Sequence, residues 1–209
     1  MQFLPDDLLA RIPALLIALS FHEYAHARMA YFWGDPTAKM QGRLTLNPIS
    51  HLDPIGLLML IFVRFGWARP VPINPVNFSD RRRGLFWVSL AGPGINLILG
   101  FVATFLFVVV FFTGTEPTIV QIMRNLVIYN VYLALFNLIP LPPLDGSKIF
   151  SSLLPREYVN QYHALEPYAP FLLILLLISG IIPMLLVPIA DIIITVYNQV
   201  AYFVLGVGF

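Results

Sequence analysis

The stretch LLIALSFHEYAHARMAYFW, residues 15–33, decides how the rest of the chain is read. It has the apolar character of a membrane helix, yet two histidines and a glutamate occupy its middle. Placing a charged side chain at the centre of a bilayer costs about 2.5–3.5 kcal/mol or more, so an ionisable group in such a helix marks a functional site by default. His22, Glu23 and His26 form an H-E-x-x-H pattern. On a helix, residues i and i+4 share one face a turn apart, so both imidazoles can reach one zinc ion. The glutamate beside the first histidine can hold a water and act as its general base, and zinc lowers the pKa of such a water toward ~7.

Composition sets the solvent. Of 209 residues, 58% are hydrophobic and 11% charged, against roughly 25% charged in a soluble domain. Apolar runs near the ~20 residues needed to cross the hydrocarbon layer recur along the chain. These features predict an all-α polytopic membrane protein whose natural partner is the lipid bilayer. The net charge of +1, with no basic patch, argues against nucleic-acid binding. The absence of cysteine excludes disulfides and thiolate metal sites. The start, MQFLPDDLLAR, lacks the basic segment of a cleavable signal peptide.

The pattern predicts four spanning helices, near residues 8–32, 85–112, 118–138 and 168–200. Pro183 and Pro188 are expected to kink or break the last one. KMQGRLTL (39–46) reads as a small β-hairpin close to the histidines. PIGLLMLIFVRFGW (54–67) is too short to span and reads as a re-entrant half helix. An amphipathic piece is expected over 147–163. No repeat divides the chain, which reads as one membrane domain over 1–209, with a catalytic core at 8–150. Basic residues favour the cytoplasmic side. Arg69, Arg81, Arg82, Arg83, Lys148 and Arg156 therefore place the histidine end of the first helix toward the cytoplasm.

Two histidines leave a catalytic zinc one protein ligand short. Asp145, in NLIPLPPLDG (137–146), is the outstanding candidate. It follows an apolar helix that the prolines stop, in backbone expected to be extended, and Gly146 would allow a tight turn aiming it inward. Its plainer reading is a cap on the next helix. His51 and Asp53, in NPISHLDPIG, read as a second layer around the site, a substrate clamp or a plug, or as an Asx turn before Pro54. Asn96 reads as an interhelical hydrogen-bonding group in preference to a catalytic one. Gly92 and Gly94 read as close-packing positions. Asp191 is open between a cap and a polar contact.

FHEYAH followed by NLIPLPPLDG resembles the site-2 protease family of intramembrane zinc metalloproteases. LNPISHLDPIG, GWARPVPINPVNF and SLAGPGINL resemble its compact bacterial and archaeal branch, which lacks PDZ and CBS domains. The resemblance covers about residues 15–150. It implies a membrane-embedded endopeptidase that cleaves transmembrane segments of protein substrates in the cell membrane, with one zinc per chain. It implies His22, His26 and Asp145 as ligands, Glu23 as general base and Asn137 as an oxyanion or substrate-backbone donor. The rival reading is a metal transporter or channel with the same cluster as a transit site, for which Glu23 has no obvious use.

Overall fold

The computed structural model describes residues 8–53, 55–56 and 69–207. Eight α-helices occur among them: α1 Leu8–Phe32, α2 Thr37–Met40, α3 Arg81–Phe112, α4 Pro117–Asn137, α5 Asp145–Leu153, α6 Arg156–His163, α7 Ala169–Ile178 and α8 Ile181–Leu205. Short 3-10 turns lie at Pro48–His51 and Pro75–Asn77. α1, α3 and α4 pack on one another, α5 docks on α3, and α8 lies against α3 and α4.

Small residues at helical spacing bring the three core helices together. Along α1, Ala10, Ala14, Ala18, His22, His26 and Ala30 form one buried i, i+4 ridge. Along α3, Gly84, Val88, Gly92, Asn96, Gly100, Thr104 and Val108 form another. Without bulky side chains between them the backbones approach closely, which is how helices associate when lipid removes the hydrophobic drive. The two histidines therefore sit on the packing ridge itself.

Among the described residues, three helices are long and apolar enough to cross a membrane: α3, α4 and α8. Only 28% of the most apolar window of α3 and α4 is buried, and 17% of that of α8. Most of their apolar surface faces outward, an arrangement suited to lipid. The chain is a membrane protein. Four spans were expected; α1 has the length, at 25 residues, but Arg11, Glu23 and Arg28 with the two histidines make it less apolar.

Other expectations are corrected. KMQGRLTL is not a hairpin, and no sheet occurs among the described residues. Lys39 and Met40 end α2, Gly42 turns the chain at φ 66°, and Arg43 N–H donates to Ala38 O. The Arg43 side chain is buried, its guanidinium donating to Arg69 O at 2.6 Å and Pro70 O at 3.3 Å. The half helix at 54–67 lies almost wholly outside the described residues. The last apolar segment breaks at Gly180, with φ 78°, and not at its prolines. Pro183 falls in the first turn of α8, where its missing N–H costs no hydrogen bond, and Pro188 is accommodated inside the helix. The amphipathic piece is two helices, α5 and α6, divided at Pro155.

Candidate active site and metal centre

The ridges fix the histidines by their Nδ1 atoms. His26 Nδ1 lies 2.7 Å from Val88 O, a pure acceptor, so this nitrogen carries the proton. His22 Nδ1 lies 2.6 Å from Asn96 Oδ1. Asn96 is oriented in turn by its amide group, which donates to Ala18 O at 3.1 Å and to Asn130 Oδ1 at 2.7 Å. Both rings are thereby anchored through Nδ1 with Nε2 pointing inward, the orientation that metal-ligating histidines require.

Asp145 completes the cluster. The turns after α4 bring it back to the two rings, with Leu141 N–H donating to Ile139 O and Leu144 N–H to Leu141 O. This is a run of tight turns and not the extended backbone expected. Nor is Asp145 the N-cap of α5: it is the helix's first residue, and Leu144 holds the cap position. Gly146 does not supply a positive-φ turn. It is needed for space, because a Cβ there would lie 2.3 Å from Leu138 O and 2.4 Å from Ile139 O.

Asp145 Oδ2 lies 3.2 Å from His22 Nε2 and 3.0 Å from His26 Nε2, and the two nitrogens are 3.0 Å apart. All three residues are buried, and Oδ2 has no hydrogen-bond donor. Three acceptors converging at this distance repel unless a cation lies among them. Tetrahedral zinc with ligands at about 2.0–2.2 Å separates neighbouring ligand atoms by roughly 3.3–3.5 Å, within a few tenths of what is seen. Gly92 leaves the room: a Cβ on it would lie 2.3 Å from His26 Nε2 and 2.7 Å from His22 Cε1. The donor set and the space fit zinc. Gly94, read with Gly92 as a packing position, faces open space.

Glu23, Asn137, Ser89 and Lys148 line the same cavity of about 240 Å³. Glu23 Oε2 accepts the Val71 N–H at 2.8 Å. The segment carrying Val71 is itself held on both sides. Arg43 grips the carbonyls of Arg69 and Pro70, and Asp35 accepts Asn74 N–H at 2.7 Å and Asn77 Nδ2 at 2.8 Å. Burial works to raise the Asp35 pKa, but the hydrogen bonds from Thr37, Asn74 and Asn77 outweigh it and hold the carboxyl below its ordinary range. Neither Asp35 nor Arg43 is singled out by the sequence reading; an acid between Gly34 and Pro36, just beyond a helix end, is the one signal for Asp35. Asn137 lines the cavity, and its Nδ2 donates to Leu133 O at 2.9 Å, which engages one of its two amide hydrogens.

His51 and Asp53 are not among the described residues lining this cavity. His51 is buried, with Nε2 2.8 Å from Thr45 O. Asp53 Oδ1 accepts Gly56 N–H, three residues on, at 2.8 Å, the spacing of a helix N-cap and not the two-residue spacing of an Asx turn.

Comparison with known proteins gives the family. Residues 114–179, which include Asn137 and Asp145, match the model of peptidase family M50. YwhC of Bacillus subtilis is 42% identical over 171 residues, 79% of this chain and 78% of the relative. The chain belongs to peptidase family M50. Rip2 of Mycobacterium tuberculosis is 32% identical over 183 residues, covering 83% of this chain and 67% of that protein. MJ0392 of Methanocaldococcus jannaschii is 31% identical over 90 residues, 42% of this chain and 26% of its own length. The names of all three class them with zinc metalloproteases. No solved structure gives a significant match. As a member of M50, the site-2 protease family, the chain is a membrane zinc metalloprotease, and the transporter reading falls away.

Proposed function

We propose that the protein is an intramembrane endopeptidase that hydrolyses peptide bonds within transmembrane segments of protein substrates, as in regulated intramembrane proteolysis. The supporting observation is the convergence of His22 Nε2, His26 Nε2 and Asp145 Oδ2 within 3.0–3.2 Å, inside a helix bundle built for lipid. These three residues would hold the zinc. When bound, zinc supplies a Lewis acid that makes a water acidic enough to attack at neutral pH.

The chain's own groups supply the rest. Glu23 takes the proton from the attacking water and later delivers it to the leaving amine. Val71 N–H fixes Oε2 of that carboxylate, leaving Oε1 to handle the proton. The Asn137 amide donates to the carbonyl oxygen as it gains negative charge, in a site poor in competing water. A substrate helix must unwind locally, since its carbonyls are otherwise held by i to i+4 bonds. Residues 8–150 act as the catalytic core of a single domain. The protein resides in the cell membrane with the zinc end toward the cytoplasm. The basic residues 81–83 and 156 cluster at that end, and TGTEPT, between α3 and α4, carries neither lysine nor arginine.

The test is the position of cleavage. Purified enzyme in vesicles is given a single-span substrate, and the products are mapped by mass spectrometry. Cuts should fall within the apolar segment toward its cytoplasmic end; cuts confined to water-exposed flanks would overturn the proposal.

A further inference from the structure

A second site of different chemistry lies at the water end of α3. A cavity of about 680 Å³ opens between the start of α3 and the C-terminal end of α5 with α6. Its polar wall includes Arg81, Arg82, Arg156 and Ser151, and Leu85 and Val159 provide apolar lining. Asp80 also lines it, but this carboxylate is committed: it accepts the N–H groups of Arg82 and Arg83 and lies 3.6 Å from Arg83 Nε. Arg82 is committed as well, donating from Nε to Ser152 O and from Nη2 to Leu154 O at 2.8 Å. Arg81 and Arg156 have no ion-pair partner among the described residues, and both are exposed. The groove thus carries surplus positive charge over an apolar base.

Its depth decides the ligand. α3 has 32 residues, about 48 Å at 1.5 Å per residue. That exceeds a hydrocarbon core of roughly 30 Å, so the first turns of α3 project into the headgroup layer. Guanidinium groups over apolar side chains at that level match a phosphate diester with the start of an acyl chain, and basic pockets beside membrane helices bind anionic headgroups in this way. We infer that this groove binds the headgroup of an anionic phospholipid, with Arg81 and Arg156 as its phosphate ligands. Arg82, on the same wall, ties the start of α3 to the C-terminal end of α5.

The experiment uses the full chain in bilayers of phosphatidylcholine and phosphatidylglycerol, released for native mass spectrometry. Wild type should retain phosphatidylglycerol over phosphatidylcholine. Each cation near the surface contributes about fivefold, so Arg81→Gln with Arg156→Gln should weaken retention about thirtyfold. Arg83→Gln removes one charge beside the groove, where Arg83 pairs with Asp80, and should weaken retention by no more than the about fivefold of a single surface cation. The doubly substituted Lys variant, which keeps both charges, should retain most binding and guards against a folding defect. Inorganic phosphate and ADP form the soluble arm, read by thermal shift in phosphatidylcholine. Equal retention of both lipids, retention unaffected by the double Gln change, or stabilisation by soluble phosphate alone would each overturn the inference.

Discussion

Gly92 offers the sharpest perturbation, because it separates metal binding from folding. Alanine at this position would place a methyl carbon 2.3 Å from His26 Nε2, 2.6 Å from His26 Cε1 and 2.7 Å from His22 Cε1. To reach the 3.4 Å of ordinary contact, the His26 ring must recede by about 1 Å, whereas a metal–ligand distance tolerates only about 0.2 Å. Losing a single orienting partner of a metal-bound histidine costs about 10- to 100-fold in affinity. Displacing both rings should therefore weaken zinc binding by more than about 100-fold. Gly94→Ala is the matched control two residues along the same helix, where nothing lies within 4 Å of the added carbon. It should bind zinc as wild type does and gain roughly 0.5–1 kcal/mol of helix stability. Zinc per chain after dialysis, with competition against a chelator, gives the readout. If Gly92→Ala keeps full zinc with an affinity within threefold of wild type, the placement of the histidine rings against α3 is wrong.

Three further outcomes follow from named contacts. Asn96→Ala frees the His22 ring and should lower zinc affinity about 10- to 100-fold, with cleavage restored at high zinc; chelator competition measures it. Asn137→Ala should bind zinc normally and cleave about 10²- to 10³-fold more slowly, as single-turnover assays would show; loss of zinc would make it a support of the Asp145 turns. Asp35→Asn turns an acceptor into a donor facing Asn74 or Asn77, costing roughly 1–3 kcal/mol. The depressed pKa of Asp35 means that its contribution is complete above the ordinary carboxylate value of ~3.9. It is lost as pH falls through the lower folded-state value. Denaturation followed on acidification should show this added loss in wild type and not in Asp35→Asn.

How much of this was legible in sequence depends on the range of the interaction. His22, Glu23 and His26 could be read because helix geometry alone sets their relation. Even the ridge of Ala10, Ala14, Ala18 and Ala30 around them is visible as a four-residue spacing. Asp145 could be nominated by ligand chemistry, but its place depends on turns that no local rule specifies. The hairpin failed because burial outweighed alternation: Ala38 packs with Ala27 and Val71, and the Arg43 side chain is spent on carbonyls of a distant segment. The break at Gly180 was missed because proline was given more weight than a left-handed glycine, although proline in a helix's first turn disrupts nothing. Val71's grip on Glu23 is a backbone contact, and a backbone N–H leaves no trace in the side-chain pattern.

The central claim is that His22, His26 and Asp145 hold zinc while Glu23 moves the proton. Zinc content and substrate cleavage, measured side by side for wild type and Glu23→Gln in the same membranes, test it most directly. The account predicts about one zinc per chain in both proteins and cleavage only in wild type. A Glu23→Gln protein that lacked zinc, or that still cleaved at a rate near wild type, would contradict it.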